Sequence, residues 1–286
     1  MVKAASPKDS GRKLFFGLFI FPLLIAVGMA VLLCSVVLLT QEDVSPESLI
    51  TEIKTGSPSK RWQKAFELSN ELNQGRGLIR GPGVMKEVMA ILKNREEYDP
   101  KTRAYMALAL SRFESTETAP FLREVLAQET DEDVQISLLW ALGSKKDASA
   151  VDVILPLLEK DQPDVRKMAV YVLGVLGDPA AVPAIEKLLD DKSRDVRWNS
   201  ALSLARLGSR AGSAELLKML ERKHLESQEG LDEAKIEEIM TNAARGAALL
   251  GLEESKPVLS ALAESDKSLK VRQAALEALA GFQTAA

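Results

Sequence analysis

The 286-residue chain has one cysteine, one histidine and only 5% aromatic residues. A Cys/His zinc site needs about four nitrogen or sulfur ligands, so none of that type can form, and neither can a disulfide within the chain. Cys34 lies inside an apolar stretch and reads as a small hydrophobe. Lipidation there is the lesser reading, because Leu33 stands where a lipoprotein signal takes a small residue. No G-x-x-x-x-G-K-[ST] loop is present. The stretch "NQGRGLIRGPG", Asn73 to Gly83, has glycines but no preceding strand, and Arg80 replaces the third glycine of a dinucleotide fingerprint. It reads as a flexible connection that can adapt to a partner or to lipid headgroups. Glu96-Glu97 and Glu253-Glu254 read as solvated faces, since acid/base chemistry needs two carboxylates in differing environments. These shortages leave no expected catalytic residue, cofactor, metal ion or small-molecule substrate.

Positive charge is also scarce once the N-terminus is set aside. Residues 1–40 hold four of the 37 basic residues and one of the 41 acidic ones, so the remainder carries a net charge of −7. That balance argues against a nucleic-acid partner, whose phosphates need clustered cations, and against adhesion to anionic lipid.

What is abundant is helix-forming and apolar. Residues 14–40, "LFFGLFIFPLLIAVGMAVLLCSVVLLT", form a run of 27 uncharged residues, whereas about 20 helical residues span a bilayer core. Lys3, Lys8, Arg12 and Lys13 precede it in a short tail, residues 1–13, and Glu42 and Asp43 follow. The positive-inside rule puts the N-terminus in the cytoplasm and all that follows Thr40 across the membrane. The rival reading is a cleaved signal peptide, whose apolar core is usually shorter. Cleavage near Gly28-Met29-Ala30 would expose "VLLCSVVLL" as a greasy new N-terminus. Pro22 is expected to kink the helix, which a membrane span tolerates.

Beyond a short connector helix, residues 41–57, the chain repeats itself. "DVRKMAVYVLGVLGDPAAVPAIEKLLDD", from Asp164, aligns without gaps with segments 31 residues before and after it. Asp133, Asp164 and Asp195 share a column, as do Leu142, Leu173 and Leu204, and Leu158, Leu189 and Leu220. Weaker copies run through Arg103, Leu110 and Pro120 on one side and through Gly251, Pro257 and Arg272 on the other. A more divergent unit, "SPSKRWQKAFELSNEL" with "GVMKEVMAILK", comes first, and divergent terminal units read as caps. Within a unit, the Asp is expected to cap the first helix. Val165, Ala169, Val172, Leu173 and Leu176 form one apolar stripe. Gly177 ends the helix, and Pro183 stands where a second helix begins. Pro156 falls four residues late and should shorten or kink its helix. Such units bury their stripes only by stacking, which predicts an all-α solenoid of about five or six helical hairpins over residues 58–283, close to the membrane.

The D-x-V-R-like and A-x-P-x-I-x-x-L-L features resemble HEAT repeats, particularly the short bacterial variety related to phycobilisome-lyase repeats. The resemblance implies that Arg103, Arg166, Arg197 and Arg272, with Gln135 in the same column, pair with loop acids of adjacent repeats as a structural ladder alongside Asp133, Asp164 and Asp195; a basic partner-binding ladder is the alternative. Candidate partner contacts are Trp140, Tyr171 and Leu202, which share a column away from the buried stripe and so serve either helix packing or a binding ridge. His224 and Leu225 lie in "RKHLESQEGLDEAK", Arg222 to Lys235, an insertion that breaks the period. His224 by itself reads as a solvated loop residue. The expected function is a single-pass, membrane-anchored interaction scaffold on the extracytoplasmic side of a bacterial membrane, held in the bilayer by its N-terminal helix. Its expected partner is another protein, such as a transporter or an envelope complex. Alternatives are a bilin-lyase-like enzyme, a chaperone-like accessory protein, or a spacer without a client.

Overall fold

The computed structural model describes residues 15–40, 45–74 and 82–284. The chain divides into two compact units, Met1–Ser45 and Pro46–Ala286. The first contains α1 (Phe21–Thr40), preceded by a π-helical turn at Phe16–Ile20. The stretch Phe16–Val36 is long and apolar enough to cross a membrane, and none of it is buried by the protein. Pro22, where a kink is expected, directly follows that π turn, in which Phe21 N–H bonds back to Phe16 O, one residue further than in an α-helix. Proline lacks the N–H that would continue the regular ladder, and the wider turn absorbs the defect. The expectations for residues 1–13 and for Glu42 and Asp43 lie outside the described residues.

The second unit is helical throughout its described residues. It begins with α2 (Pro46–Thr55), then runs through α3 (Pro58–Gln74), α4 (Pro82–Lys93), α5 (Pro100–Leu110), α6 (Thr118–Gln128) and α7 (Glu132–Lys145). Next come the short α8 (Val151–Ile154), α9 (Pro163–Leu176), α10 (Val182–Glu186), α11 (Arg194–Arg206) and α12 (Ser213–Leu220). A single turn, α13 (Arg222–Glu226), precedes α14 (Glu233–Leu249), α15 (Lys256–Ser265) and α16 (Leu269–Thr284). The first helices of successive hairpins, α3, α5, α7, α9, α11, α14 and α16, pack each on the next, and the second helices cover one side of that row. The fold is an α-solenoid. Its register follows from burial: Val134, Val165 and Val196 are fully buried, as are Leu142, Leu173 and Leu204. Each such side chain contributes about 1.5–3 kcal/mol by leaving water, and only the neighbouring hairpin supplies the cover. Leu189 packs against both halves of the core, so the apolar interior is continuous along the stack.

Small residues let first helices approach closely. A Cβ on Gly174 would stand 2.5 Å from Ser203 Oγ and 2.9 Å from Ser203 Cα, and one on Gly143 would meet Val172 methyls at 3.2 and 3.3 Å. Gly177 takes the left-handed conformation (φ 75°) that closes α9. The helix expected as a connector is part of the stack. Leu49 and Ile53 of α2 are fully buried, and α2 packs on α3 as a second helix without a first.

The capping expectation needs correction. Asp133, Asp164 and Asp195 are not N-caps; each sits inside the first turn of its helix, where it meets the positive dipole end. The cap of α7 is Asp131, accepting from Val134 N–H, and Asp99 and Asp232 do the same for α5 and α14. At α9 the cap position holds Gln162, which makes no side-chain cap bond, and Pro163 takes the first helical position. Pro156 lies in a 3-10 turn, Leu155–Glu159, that follows α8. The next unit also turns to 3-10 geometry at Lys187–Asp190 with no proline there, so proline alone does not explain the shortening.

Candidate partner-binding surface

The arginine column stands four residues after each capping position, a register fixed by backbone bonds from Arg61, Arg103, Gln135, Arg166, Arg197 and Arg272 N–H to Ser57, Asp99, Asp131, Gln162, Ser193 and Ser268 O. Its side chains point into the junctions between units. Arg103, only 3% exposed, donates to Leu92 O at 3.1 Å and forms an ion pair with Glu129. Gln135 donates to Glu129 O at 2.7 Å. Arg166 holds Asp191 through two bonds of 2.8 Å and donates to Lys160 O and Asp161 O. Arg197 donates to Asp191 O and Lys192 O, with Glu215 4.0 Å away. Arg272 Nε, near the end of the stack, is buried with no partner among the described residues. Burial pushes the Arg103 guanidinium down, while the hydrogen bonds that Arg166 donates to Asp191 hold Arg166 up. Groups so engaged hold the stack together and present no free charge to a partner.

Two members of this junction set were missed in the sequence. Arg61, the first rung, donates to Gly56 O and to Glu97 O at 2.7 Å. Ile236 occupies the rung position in α14, and Arg222 of the inserted turn supplies the missing cation instead. It bonds Asp266 twice at 2.7 Å and Glu233 at 2.7 Å. Arg222 falls 31 residues after Asp191, in the column that holds the acid, so periodicity concealed its role.

The exposed face of the first helices is different in character. Trp140 is 36% exposed and Tyr171 39%, with Leu202 half-buried in the same column. Phe66 and Leu108 continue that column toward the N-terminus. Phe66 meets Tyr105 edge-on with centroids 5.3 Å apart. A groove of about 360 Å³ runs between Phe66, Tyr105, Ile136, Trp140 and Met168. A second, of about 330 Å³, is lined by Met168, Tyr171, Trp198 and Leu202. Met168 belongs to both, so the two read as one apolar track across α3, α5, α7, α9 and α11. Half-exposed aromatic side chains along such a track can anchor a partner at small entropic cost.

The insertion is a different matter. Leu225 is fully buried against Leu220 and its neighbours in the core, so it is corrected from contact candidate to core residue. The turn of α13 directs it inward at a spacing the sequence did not reveal. His224 is half-buried, and its backbone carbonyl accepts from Ser227 Oγ at 2.7 Å. No group of three or more His, Cys, Asp or Glu side chains able to hold a metal ion occurs among the described residues. Of the glycine-rich stretch Asn73 to Gly83, residues 75–81 lie outside the described residues.

Comparison with known proteins matches this architecture. The HEAT repeats profile matches residues 85–165 and 151–227. No curated protein matches the chain in sequence. Among solved structures, the chain is similar to the complex of CpcE and CpcF of phycocyanin lyase from Nostoc sp. PCC7120, with a TM-score of 0.58 and 17% identity over 86% of this chain and 91% of that one. It is also similar to a designed armadillo repeat protein in complex with the peptide (KR)4, with a TM-score of 0.42 and 18% identity over 83% of this chain and 98% of that one. A likeness at these identities is one of fold.

Proposed function

The chain belongs to the family of HEAT repeats, and on that premise we propose that it is a single-pass membrane adaptor whose solenoid docks another polypeptide on the extracytoplasmic side of a bacterial membrane. The observation that carries the reading is the apolar track of half-exposed aromatics on the first-helix face, beside a row of junction arginines already engaged within the stack. The exposed apolar stretch Phe16–Val36 favours a bilayer as its surroundings, and the cations before it with the acids after it favour an N-terminus in the cytoplasm. Tethering raises the solenoid's effective concentration near membrane-embedded clients, so a transporter or envelope complex is the fitting class of partner. Two measurements test this. A membrane-impermeant maleimide should label a cysteine placed at Ser59 in intact cells, in a chain whose Cys34 is replaced; labelling only after lysis refutes the orientation. A photo-crosslinker in place of Asn199 should join the chain to a membrane or envelope polypeptide in native membranes, and silence at every first-helix position refutes the adaptor.

A lyase-like role is the second reading, favoured by the likeness of fold to the phycocyanin lyase complex. Bilin transfer to a purified client protein by the full chain would support it over the adaptor.

A further inference from the structure

Most described arginines of the second unit are bonded within the stack, Arg61, Arg103, Arg166, Arg197 and Arg222 among them, and Arg95, Arg123, Arg194 and Arg210 also hold an acid or a carbonyl. Arg112, Arg206 and Arg245 are exposed, have no ion pair among the described residues, and share one position, thirteen residues after the caps Asp99, Ser193 and Asp232. Two of them bracket the Trp140–Tyr171 part of the aromatic track. Arg112, in the turn that follows α5, lies over the Trp140 ring of the next first helix at 5.8 Å. Arg206, on α11, lies over the Tyr171 ring of the preceding one at 5.2 Å. Along the stack the order is therefore Arg112, Trp140, Tyr171, Arg206, a cation at each end with rings and Met168 between. Among the described residues, Arg112 is the only charged one lining its groove. Around Arg206 the two acids are already engaged, Glu238 by Lys235 at 2.9 Å and Asp195 by Arg194 at 3.8 Å. The net charge of −7 over residues 41–286 makes this local positive excess an exception.

Resting on the adaptor reading above, the geometry points to a binding site for an extended acidic segment of the partner polypeptide, carrying carboxylates at both ends and apolar side chains between. Arg112 and Arg206 clamp the carboxylates, guanidinium to carboxylate. Trp140 and Tyr171 hold the apolar centre. Asn70, Ser137 and Asn199 line the track, and their amide and hydroxyl groups can pair with a main chain. Both arginines lean inward over rings on adjacent first helices, so one helix-to-helix step of about 8–10 Å plus the two ring contacts puts the guanidiniums at most roughly 19–21 Å apart. An extended chain covers that in about six residues at 3.3 Å each, the span from the second to the eighth residue of a nonapeptide. A lipid surface fits less well, because the acidic stack repels it and a flat bilayer cannot enter a groove.

The test uses the full chain in phosphatidylcholine nanodiscs and a fluorescein-labelled peptide, Glu-Glu-Ser-Leu-Phe-Leu-Ser-Glu-Glu, with binding read by fluorescence anisotropy. Saturable binding is expected, weakening as salt is raised. The double change Arg112→Glu with Arg206→Glu should weaken it at least about tenfold, while Arg245→Glu, in the same column but beyond the track, should leave it within about twofold. Circular dichroism checks that each variant stays folded. Equal binding of the Lys-for-Glu peptide overturns the proposal, as do an undiminished double variant, absence of binding, or capture of anionic vesicles in place of the peptide. The photo-crosslink from position 199 separates the two proposals. A partner joined equally by wild type and double variant removes the acidic-segment site and leaves the adaptor standing, whereas silence at every first-helix position removes both.

Discussion

Replacing Arg166 by alanine strips one junction of its clamp. Asp191 loses two 2.8 Å bonds, and Lys160 O and Asp161 O lose their donor. The Asp191 side chain is only 7% exposed, so water does not readily take over. Breaking a buried pair from one side costs about 3–5 kcal/mol. Here Asp191 keeps the Ser193 N–H at 2.7 Å and the nearby Arg197 charge, which reduces the expected loss to about 2–3 kcal/mol. In a stack of units coupled only to neighbours the loss is local, so hydrogen exchange of the amides between Asp191 and Arg206 is the suitable assay. Exchange should quicken by roughly 30–150-fold, tenfold per 1.4 kcal/mol. The pH dependence has a definite sign. Burial would raise the Asp191 carboxyl, but the Arg166 hydrogen bonds, the Ser193 N–H and the charges of Arg166 and Arg197 together hold it below its usual range. A depressed carboxyl stabilises the fold above its unfolded value, and that stabilisation is lost as pH falls through the folded value. The wild-type advantage over Arg166→Ala should therefore be full at neutral pH and shrink below about pH 4. Unchanged exchange at neutral pH, or an equal penalty at every pH, would refute this account of the junction.

Other perturbations follow from the same packing. Gly174→Ala forces a Cβ against the Ser203 backbone and should destabilise by about 1–3 kcal/mol, whereas Gly143→Ala meets only movable Val172 methyls and should cost less. The order of their midpoints in thermal circular dichroism checks it. Arg222→Ala frees Asp266 and Glu233, so amides from Asp266 to Thr284 should exchange faster while those of α5 to α9 do not change. Arg222→Lys should fail to restore them, because an ammonium cannot make the paired bonds to Asp266. Pro22→Ala returns the missing N–H and should convert the Phe16–Ile20 turn to regular α-helix, read from NMR carbon shifts of the full chain in micelles.

Most of the stack was legible because period and burial are one fact in a solenoid. A 31-residue spacing puts Val134, Val165 and Val196 against equivalent neighbours, and so all three are buried. What escaped the sequence depended on partners with no periodic relation. The helix α2 looked like a connector because its cover, α3 and α4, belongs to the next hairpin. Arg222 reaches Asp266, 44 residues onward, past an insertion that shifts the register. The aspartates at the head of each motif suggested caps, but one helical residue already precedes each of them.

The aromatic track was legible only as an ambiguity, and the structure shows why periodicity could not resolve it. Nine residues after the cap, successive first helices carry Phe66, Leu108, Trp140, Tyr171, Leu202, Thr241 and Glu277. The column mixes rings, aliphatics, a hydroxyl and a carboxylate, and neighbouring units cover it only in part. Its fold-equivalent positions accept Thr241 and Glu277 without disturbing the stack, so packing imposes no ring at Trp140 or Tyr171. Large half-exposed aromatics at unconstrained positions carry a solubility cost, since contiguous apolar surface invites association. The junction column behaves in the opposite way, holding Arg61, Arg103, Arg166 and Arg197 wherever a carboxylate or carbonyl awaits them. The fold thus accounts for the arginines that hold a carboxylate or carbonyl, whereas it dictates no one side-chain type in the ring column. On the adaptor reading proposed above, the rings are there for a partner.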